Sequence, residues 1–206
     1  MPLITRIVQQ KDQNRANIYL DGKFAFGITL EALLKNDLHV NKELSFQCID
    51  TLKKEDEQAK VYYRALDYAT RRPHSEWEIK QWFKRKKIGE SEQGLALFRL
   101  KKLNLVNDEE FAKWWVEQRT AFRPKSKRAL KAELSQKGVK RDIIEEVLSE
   151  SEVPEEEIAK KIAEKRLSRL KGLPIRDQKK KLTEFLSRRG FSWDIIKEVI
   201  NQVLKQ

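Results

Sequence analysis

A chain of 206 residues with a formal charge of +12 and a pI near 9.7 can form one large domain or several small ones. Its surplus of positive charge points to a polyanionic partner, nucleic acid before membrane. With no run of 18 apolar residues, no signal-peptide pattern and a single cysteine, Cys48, a membrane span and an internal disulfide are excluded and a cytoplasmic location is expected.

In chain order, Ile4, Ile7 and Val8 predict a strand. Asn17–Leu20 and Lys23–Ile28 predict two more, joined by Asp21-Gly22, because a type I′ turn needs φ > 0 at both central residues. Simple alternation puts Phe24 and Phe26 on one face, expected either to seal against the first repeat or to touch a protein partner. Thr29 is placed to cap a short helix carrying Leu30, Leu33 and Leu34. These elements form a small N-terminal domain, residues 1–55, whose removal is expected to leave the rest folded. Residues 1–58 carry 8 basic and 9 acidic side chains, against 36 and 23 in the remainder. The front end is therefore suited to contacting protein rather than phosphate.

From Ala59 onward the chain repeats itself. Leu130, Leu134, Gly138, Ile143, Ile144, Val147 and Leu148 recur 52 residues later as Leu182, Leu186, Gly190, Ile195, Ile196, Val199 and Ile200. The pattern is that of a helix, a turn and a second helix. A looser copy, offset by about 51, holds Ile79, Phe83 and the turn Lys87-Ile88-Gly89, with Leu95 and Phe98 opening the next helix. Each copy is preceded by another apolar stripe: Val61, Ala65, Leu66, Ala69; then Phe111, Ala112, Trp115, Val116; then Ile158, Ala159, Ile162, Ala163. The predicted fold is mostly α, a tandem array of three three-helix repeats with helix-turn-helix flavour (59–106, 107–150 and 155–206) behind a small hairpin-and-helix domain.

Helix ends are signposted. Ser75 with Glu78 reads as a capping box, Asn107-Asp108 and Ser192 as N-caps, and Gly138 and Gly190 as left-handed C-caps. The acidic, Pro-broken stretch Ser151-Glu152-Val153-Pro154-Glu155-Glu156-Glu157 reads as a joint between the last two repeats.

Nothing converges for catalysis. Gly22-Lys23 lacks the rest of a phosphate-binding loop, His39 and His74 lack the spacing of a zinc site, and Cys48 has no companion marking it as a nucleophile. No enzyme activity, metal or cofactor is expected, and the array is expected to be monomeric.

The basic clusters carry the functional signal. Arg123, Lys125, Lys127, Arg128 and Lys131 fall at the junction before the middle helix of the second repeat, where positive charge opposes the helix dipole. Arg71 and Arg72 hold the matching place in the first repeat, with Lys84, Arg85, Lys86 and Lys87 one helix later. Arg176, Lys179, Lys180 and Lys181 are assigned the same junction in the third, with Arg188 and Arg189 beyond. Contacts of this kind release counterions from phosphates, so binding should be salt-dependent and weakly sequence-specific. Of the tryptophans, Trp82 and Trp115 are expected in the core, leaving Trp77 or Trp114 for stacking on bases.

The succession Ala65-Leu66-x-Tyr68, Arg72-x-x-Ser75-Glu76-x-x-Ile79, Leu103-x-Leu105-Val106-x-Asp108-x-x-Phe111-Ala112 and Leu130-x-x-Glu133-Leu134-x-x-Lys137-Gly138-Val139 resembles the RecX family across residues 59–204. Two departures stand out: Pro73-His74 precedes Ser75-Glu76, and the segment before the second repeat's middle helix reads Phe122-Arg123-Pro124-Lys125. The front end resembles that of the longer members. The resemblance implies a non-enzymatic regulator that binds RecA filaments on single-stranded DNA and restrains ATP hydrolysis, strand exchange and SOS signalling. A stand-alone basic helical protein that binds DNA, duplex included, is the alternative.

Overall fold

The computed structural model describes residues 1–151 and 153–205. Glu152, within the acidic joint read from the sequence, and Gln206 lie outside the described residues. The chain divides into two compact units, one of residues 1–71 and 83–103, the other of residues 72–82 and those from Asn104 onward.

The first unit opens with an antiparallel sheet of β1 (Ile4–Gln9), β2 (Arg15–Leu20) and β3 (Lys23–Thr29), in that spatial order. Asp21 and Gly22 both have positive φ, 48° and 81°, as the hairpin turn requires. Pairing between β2 and β3 slips after Ile18↔Phe26 to Tyr19↔Phe24, so Ala25 is the extra residue of a bulge. The slip overturns the expectation for the two phenylalanines. Phe26 is buried in the front core, whereas Phe24 is 60% exposed and lies edge-on to Tyr19.

Thr29 accepts the Ala32 backbone N–H and caps α1 (Leu30–Lys35), as its sequence position predicts. Ser45 caps α2 (Phe46–Ala69), which runs without a break through residues 55–59. The front end of α2 supplies Ile49 and Leu52 to a core of Ile4, Ile18, Phe26, Ile28, Leu38 and Leu44, with Cys48 half-buried beside it. On the same helix Asp56, 4% exposed, accepts from Arg15 at 2.7 Å and pairs with Lys60 at 2.8 Å. Further along, Val61, Ala65 and Ala69 are buried, and α2 packs against α4 (Glu90–Lys102) through its buried Ala96 and Leu100.

Between α2 and α4 in sequence comes α3 (Glu76–Arg85). The second unit continues with α5 (Asp108–Phe122), α6 (Lys127–Gln136), α7 (Arg141–Glu150), α8 (Glu155–Leu167), α9 (Ile175–Ser187) and α10 (Trp193–Leu204). A continuous core joins Phe111, Leu130, Leu134, Ile144 and Val147 to Ala159, Leu182, Leu186, Ile196 and Val199. The mostly α fold of three-helix repeats behind a small sheet is the observed architecture.

One turn is built three times. Val139 N–H bonds to Leu134 O and Phe191 N–H to Leu186 O, around Gly138 (φ 75°) and Gly190 (φ 87°). Ile88 N–H bonds likewise to Phe83 O, but the left-handed residue there is Lys87 (φ 53°), and Gly89 serves as N-cap of α4.

The joint between successive repeats also recurs within the second unit. Ser75 Oγ donates to Lys137 O at 2.8 Å, and the Ser126 N–H donates to Arg189 O at 3.1 Å. In both cases the accepting carbonyl immediately precedes the left-handed glycine. The first residue of the next repeat's opening helix, Asp108 of α5 or Glu155 of α8, accepts the backbone N–H of Glu76 or Lys127 respectively. Asp108 thus works across a joint, while Asn107 alone caps α5, bonding the N–H groups of Glu109 and Glu110. Ser192 caps α10 as expected.

Candidate nucleic-acid interface

Each candidate cation lies in one unit or the other. Arg71, Lys84, Arg85, Lys86 and Lys87 belong to the first unit, the others to the second. Arg71 is exposed and paired with Asp67 at 2.5 Å. Lys84 and Arg85 lie in the last turn of α3 and Lys86 and Lys87 form the turn after it, all exposed.

In the second unit, two carboxylates organise the neighbouring cations. Glu78 is buried and accepts from Arg72 at 2.8 Å, Lys137 at 2.7 Å and His74 Nδ1 at 3.0 Å. Burial alone would raise its pKa, but the bonds from His74, Arg72 and Lys137 outweigh that and hold it far below the usual carboxylate range. Half of the expected capping box is present: Ser75 Oγ accepts the Glu78 N–H at 3.1 Å. The Glu78 carboxylate faces this cluster and not the Ser75 N–H, because Lys137 arrives from a neighbouring repeat with a full charge to offer. His74, isolated in sequence, is buried against it.

The second carboxylate, Glu133 on α6, accepts from Trp115 Nε1 at 2.9 Å and Arg119 Nε at 2.7 Å, and is also bonded to Lys125. Desolvation again works against ionisation, and the three donors again lower the pKa. Between the two clusters lies the pair Trp114 and Trp115, ring centroids 6.1 Å apart. Arg72 lies over Trp114 at 5.2 Å; Arg119 and Lys137 lie over Trp115 at 4.2 and 5.0 Å. Trp115 is half-buried rather than a core residue, since its indole N–H must reach Glu133. Trp82 is buried as expected, and Trp77 is 42% exposed.

The basic junction before α6 is where the sequence placed it, but its members differ. Lys125 is tied to Glu133 and Lys131 to Glu145 at 2.9 Å. With Arg141 on the same group, Glu145 is pulled down to about 2. Arg123 and Arg128 are exposed, Lys127 is half-exposed, and none of the three side chains has an ion-pair partner among the described residues. In the third repeat, Arg176, Lys179, Lys180 and Lys181 lie on α9 itself, not in the junction before it, because α9 begins directly after Pro174. They are exposed, as is Arg188. Arg189 has a structural role: its guanidinium lies over Phe185 at 4.4 Å, and burial lowers its pKa from the ordinary value.

No helix among the described residues is long and apolar enough to cross a membrane. Residues 2–45 match the family domain described as regulatory protein RecX N-terminal domain, 107–148 the second RecX three-helix domain and 154–200 the third. Regulatory protein RecX of Leuconostoc mesenteroides is 33% identical over 100% of this chain and 78% of its own length. RecX of Bacillus subtilis strain 168 is 34% identical over 98% of this chain and 78% of its own. Among solved structures, a crystal structure of regulatory protein RecX superposes with a TM-score of 0.75 at 29% identity, covering 98% of this chain and 100% of that one. RecX from Lactobacillus salivarius does so with a TM-score of 0.61 at 26% identity, covering 74% and 99%. Full-length similarity at this level, together with three matched domains in order, shows that the chain belongs to the RecX family of regulatory proteins.

Proposed function

We propose that this protein regulates the RecA recombinase without catalysing a reaction itself. It binds RecA filaments on single-stranded DNA in the cytoplasm as a monomer and restrains ATP hydrolysis, strand exchange and SOS signalling. Membership of the family supports the regulatory role. The observation that carries the nucleic-acid part is that six candidate cations of the second unit, Arg123, Lys127, Arg128, Lys179, Lys180 and Arg188, have side chains at least half-exposed and no carboxylate partner among the described residues. Arg72, Lys125 and Lys137 are each tied to a carboxylate, whereas these six are available to phosphates. Lodging in the filament groove, or at a growing end, blocks extension and favours disassembly.

The test is RecA ATPase turnover on single-stranded DNA, titrated with substoichiometric amounts of the full chain. Turnover should fall well before equimolar ratios. Unchanged turnover over a wide titration, with DNA binding retained, would make this a stand-alone DNA-binding protein instead.

A further inference from the structure

The exposed side of α5 has a feature that packing accounts for only in part: Trp114 is half-buried against Phe111, whereas Phe122, two turns on, is left in solvent. Trp114, Gln118 and Phe122 succeed one another at intervals of four residues, which places them along one face over about 12 Å of helix. Together with Trp115, Arg119 and Arg123 they line an open cleft. Phe122 is 77% exposed, at the last turn of the helix, where nothing in the fold shields it. Leaving a ring of that size in water is a hydrophobic cost that a partner can relieve.

The charge around the cleft is one-sided. Glu133, the carboxylate bonded to lining residues, is already held by Arg119, Lys125 and the Trp115 indole N–H. Arg123 has no ion-pair partner among the described residues. The rings of α5 already accept planar cations on their faces, as the Arg119–Trp115 contact at 4.2 Å shows. A ligand that brings flat π-surfaces and regularly spaced negative charge together matches both halves of this surface. An unpaired nucleotide strand does so; a duplex hides its base faces, and its phosphates would meet only the cations.

We propose that the α5 cleft is a base-stacking subsite for single-stranded DNA, with Phe122 and Trp114 as the stacking rings and Arg123 meeting the adjoining phosphate. The proposal rests on the functional reading above for its partner and adds to it a contact with bases, beyond the phosphate contacts of the basic clusters. Base-on-aromatic contacts are tolerant of sequence, so the subsite would hold any strand.

The experiment measures binding of the full chain to a labelled thymidine oligonucleotide, to an abasic strand of equal length and to a duplex. Phe122→Ala should weaken binding to the thymidine strand by between about fivefold and a hundredfold and leave the abasic strand and the duplex unchanged. Because Phe122 is exposed, the variant should melt with the parent; Trp114→Phe, which keeps a ring, should lose less than Trp114→Ala. Equal affinity of the Phe122→Ala variant and the parent for the thymidine strand would overturn the proposal, as would a parent chain that binds none of the three. Loss of recombinase regulation by Phe122→Ala with all DNA affinities intact would also overturn it and make the cleft a protein contact. The functional reading fails separately, if the parent chain leaves RecA turnover untouched.

Discussion

The carbonyl of Arg189 accepts the Ser126 N–H at 3.1 Å, and the next residue, Gly190, is so close that a Cβ there would lie 2.7 Å from Ser126 Oγ. One repeat earlier, Lys137 O accepts from Ser75 Oγ, and a Cβ on Gly138 would lie 2.5 Å from that of Trp77. The glycine therefore serves two needs at once: it takes the left-handed conformation that ends a helix, and it lets the next repeat dock on the N-cap of the previous middle helix. Gly138→Ala and Gly190→Ala should each cost about 2–4 kcal/mol, adding left-handed strain to a methyl clash. Urea denaturation measures this, and a change below about 0.5 kcal/mol would mean the joint yields freely.

The same turn in the first unit has Lys87 at φ 53°. A side chain there costs about 1–2 kcal/mol relative to glycine, partly offset by the extra freedom glycine has when unfolded. Lys87→Gly should therefore raise the stability of the first unit by about 0.5–1 kcal/mol. A lower urea midpoint for the variant would show that the lysine side chain makes a stabilising contact.

These turns mark what the sequence made readable. Gly138 and Gly190 declared themselves because few residues tolerate that conformation, and Asp21-Gly22 did so for the same reason. Lys87 did not, since lysine carries no preference for a turn, and the neighbouring Gly89 carries the turn signal without taking the left-handed conformation. The β3 bulge was hidden because alternation presumes an unbroken pleat. In the candidate site, the cluster around Arg123–Lys131 was legible as charge. Which cations are free was not, because Lys125 folds back from the loop before α6 onto Glu133, and Lys131 meets Glu145 only across the packing of α6 against α7. The partnership of Glu78 with Lys137 spans 59 positions, beyond any local pattern.

That distinction changes which substitutions test nucleic-acid binding. Arg123→Gln, Lys127→Gln and Arg128→Gln together should leave the fold intact, since the Lys127 contact with Glu155 uses only its backbone N–H. If all three meet phosphates, the slope of log affinity against log salt on single-stranded DNA should flatten by about 2. Lys125→Gln should instead lower the melting temperature by releasing one of the donors of Glu133. An unchanged slope in the triple variant would make this junction an ordinary solvated surface.

Glu78 gives the second unit an acid-sensitive element. Its folded pKa lies below the ordinary 4.5, so its ionised form stabilises the fold fully above about that pH. As pH falls below 4.5 toward the folded value, the unfolded chain takes up the proton first and the stabilisation is lost. The parent chain should therefore show a steep loss of melting temperature on the acid side. Glu78→Gln should melt lower at neutral pH, because Arg72 and Lys137 lose their buried counter-charge, and its acid-side loss should be shallower. Parallel profiles for the two proteins would locate the acid sensitivity elsewhere.

The front end has to be tested through Arg15. α2 runs unbroken from Phe46 to Ala69, so cutting after residue 55 severs a helix and removes Ile49 and Leu52 from a shared core. It also takes away Arg15, whose guanidinium pairs with the nearly inaccessible Asp56 and binds β2 to that helix. Removing one partner of so buried a pair leaves charge without compensation, a cost of about 3–5 kcal/mol when no other partner remains. Lys60 still pairs with Asp56 here and is itself half-exposed, so Arg15→Ala should cost less, about 2–3 kcal/mol. Deleting residues 1–55 should therefore lower thermal stability and weaken DNA binding and recombinase regulation together. Phe24→Ala separates bracing from contact: that ring is 60% exposed, so its removal should leave the melting temperature within about a degree of the parent. Should this variant alone lose regulation while keeping DNA affinity, the hairpin touches the recombinase. If it behaves as the parent while the deletion fails in everything, the front end is a brace for α2.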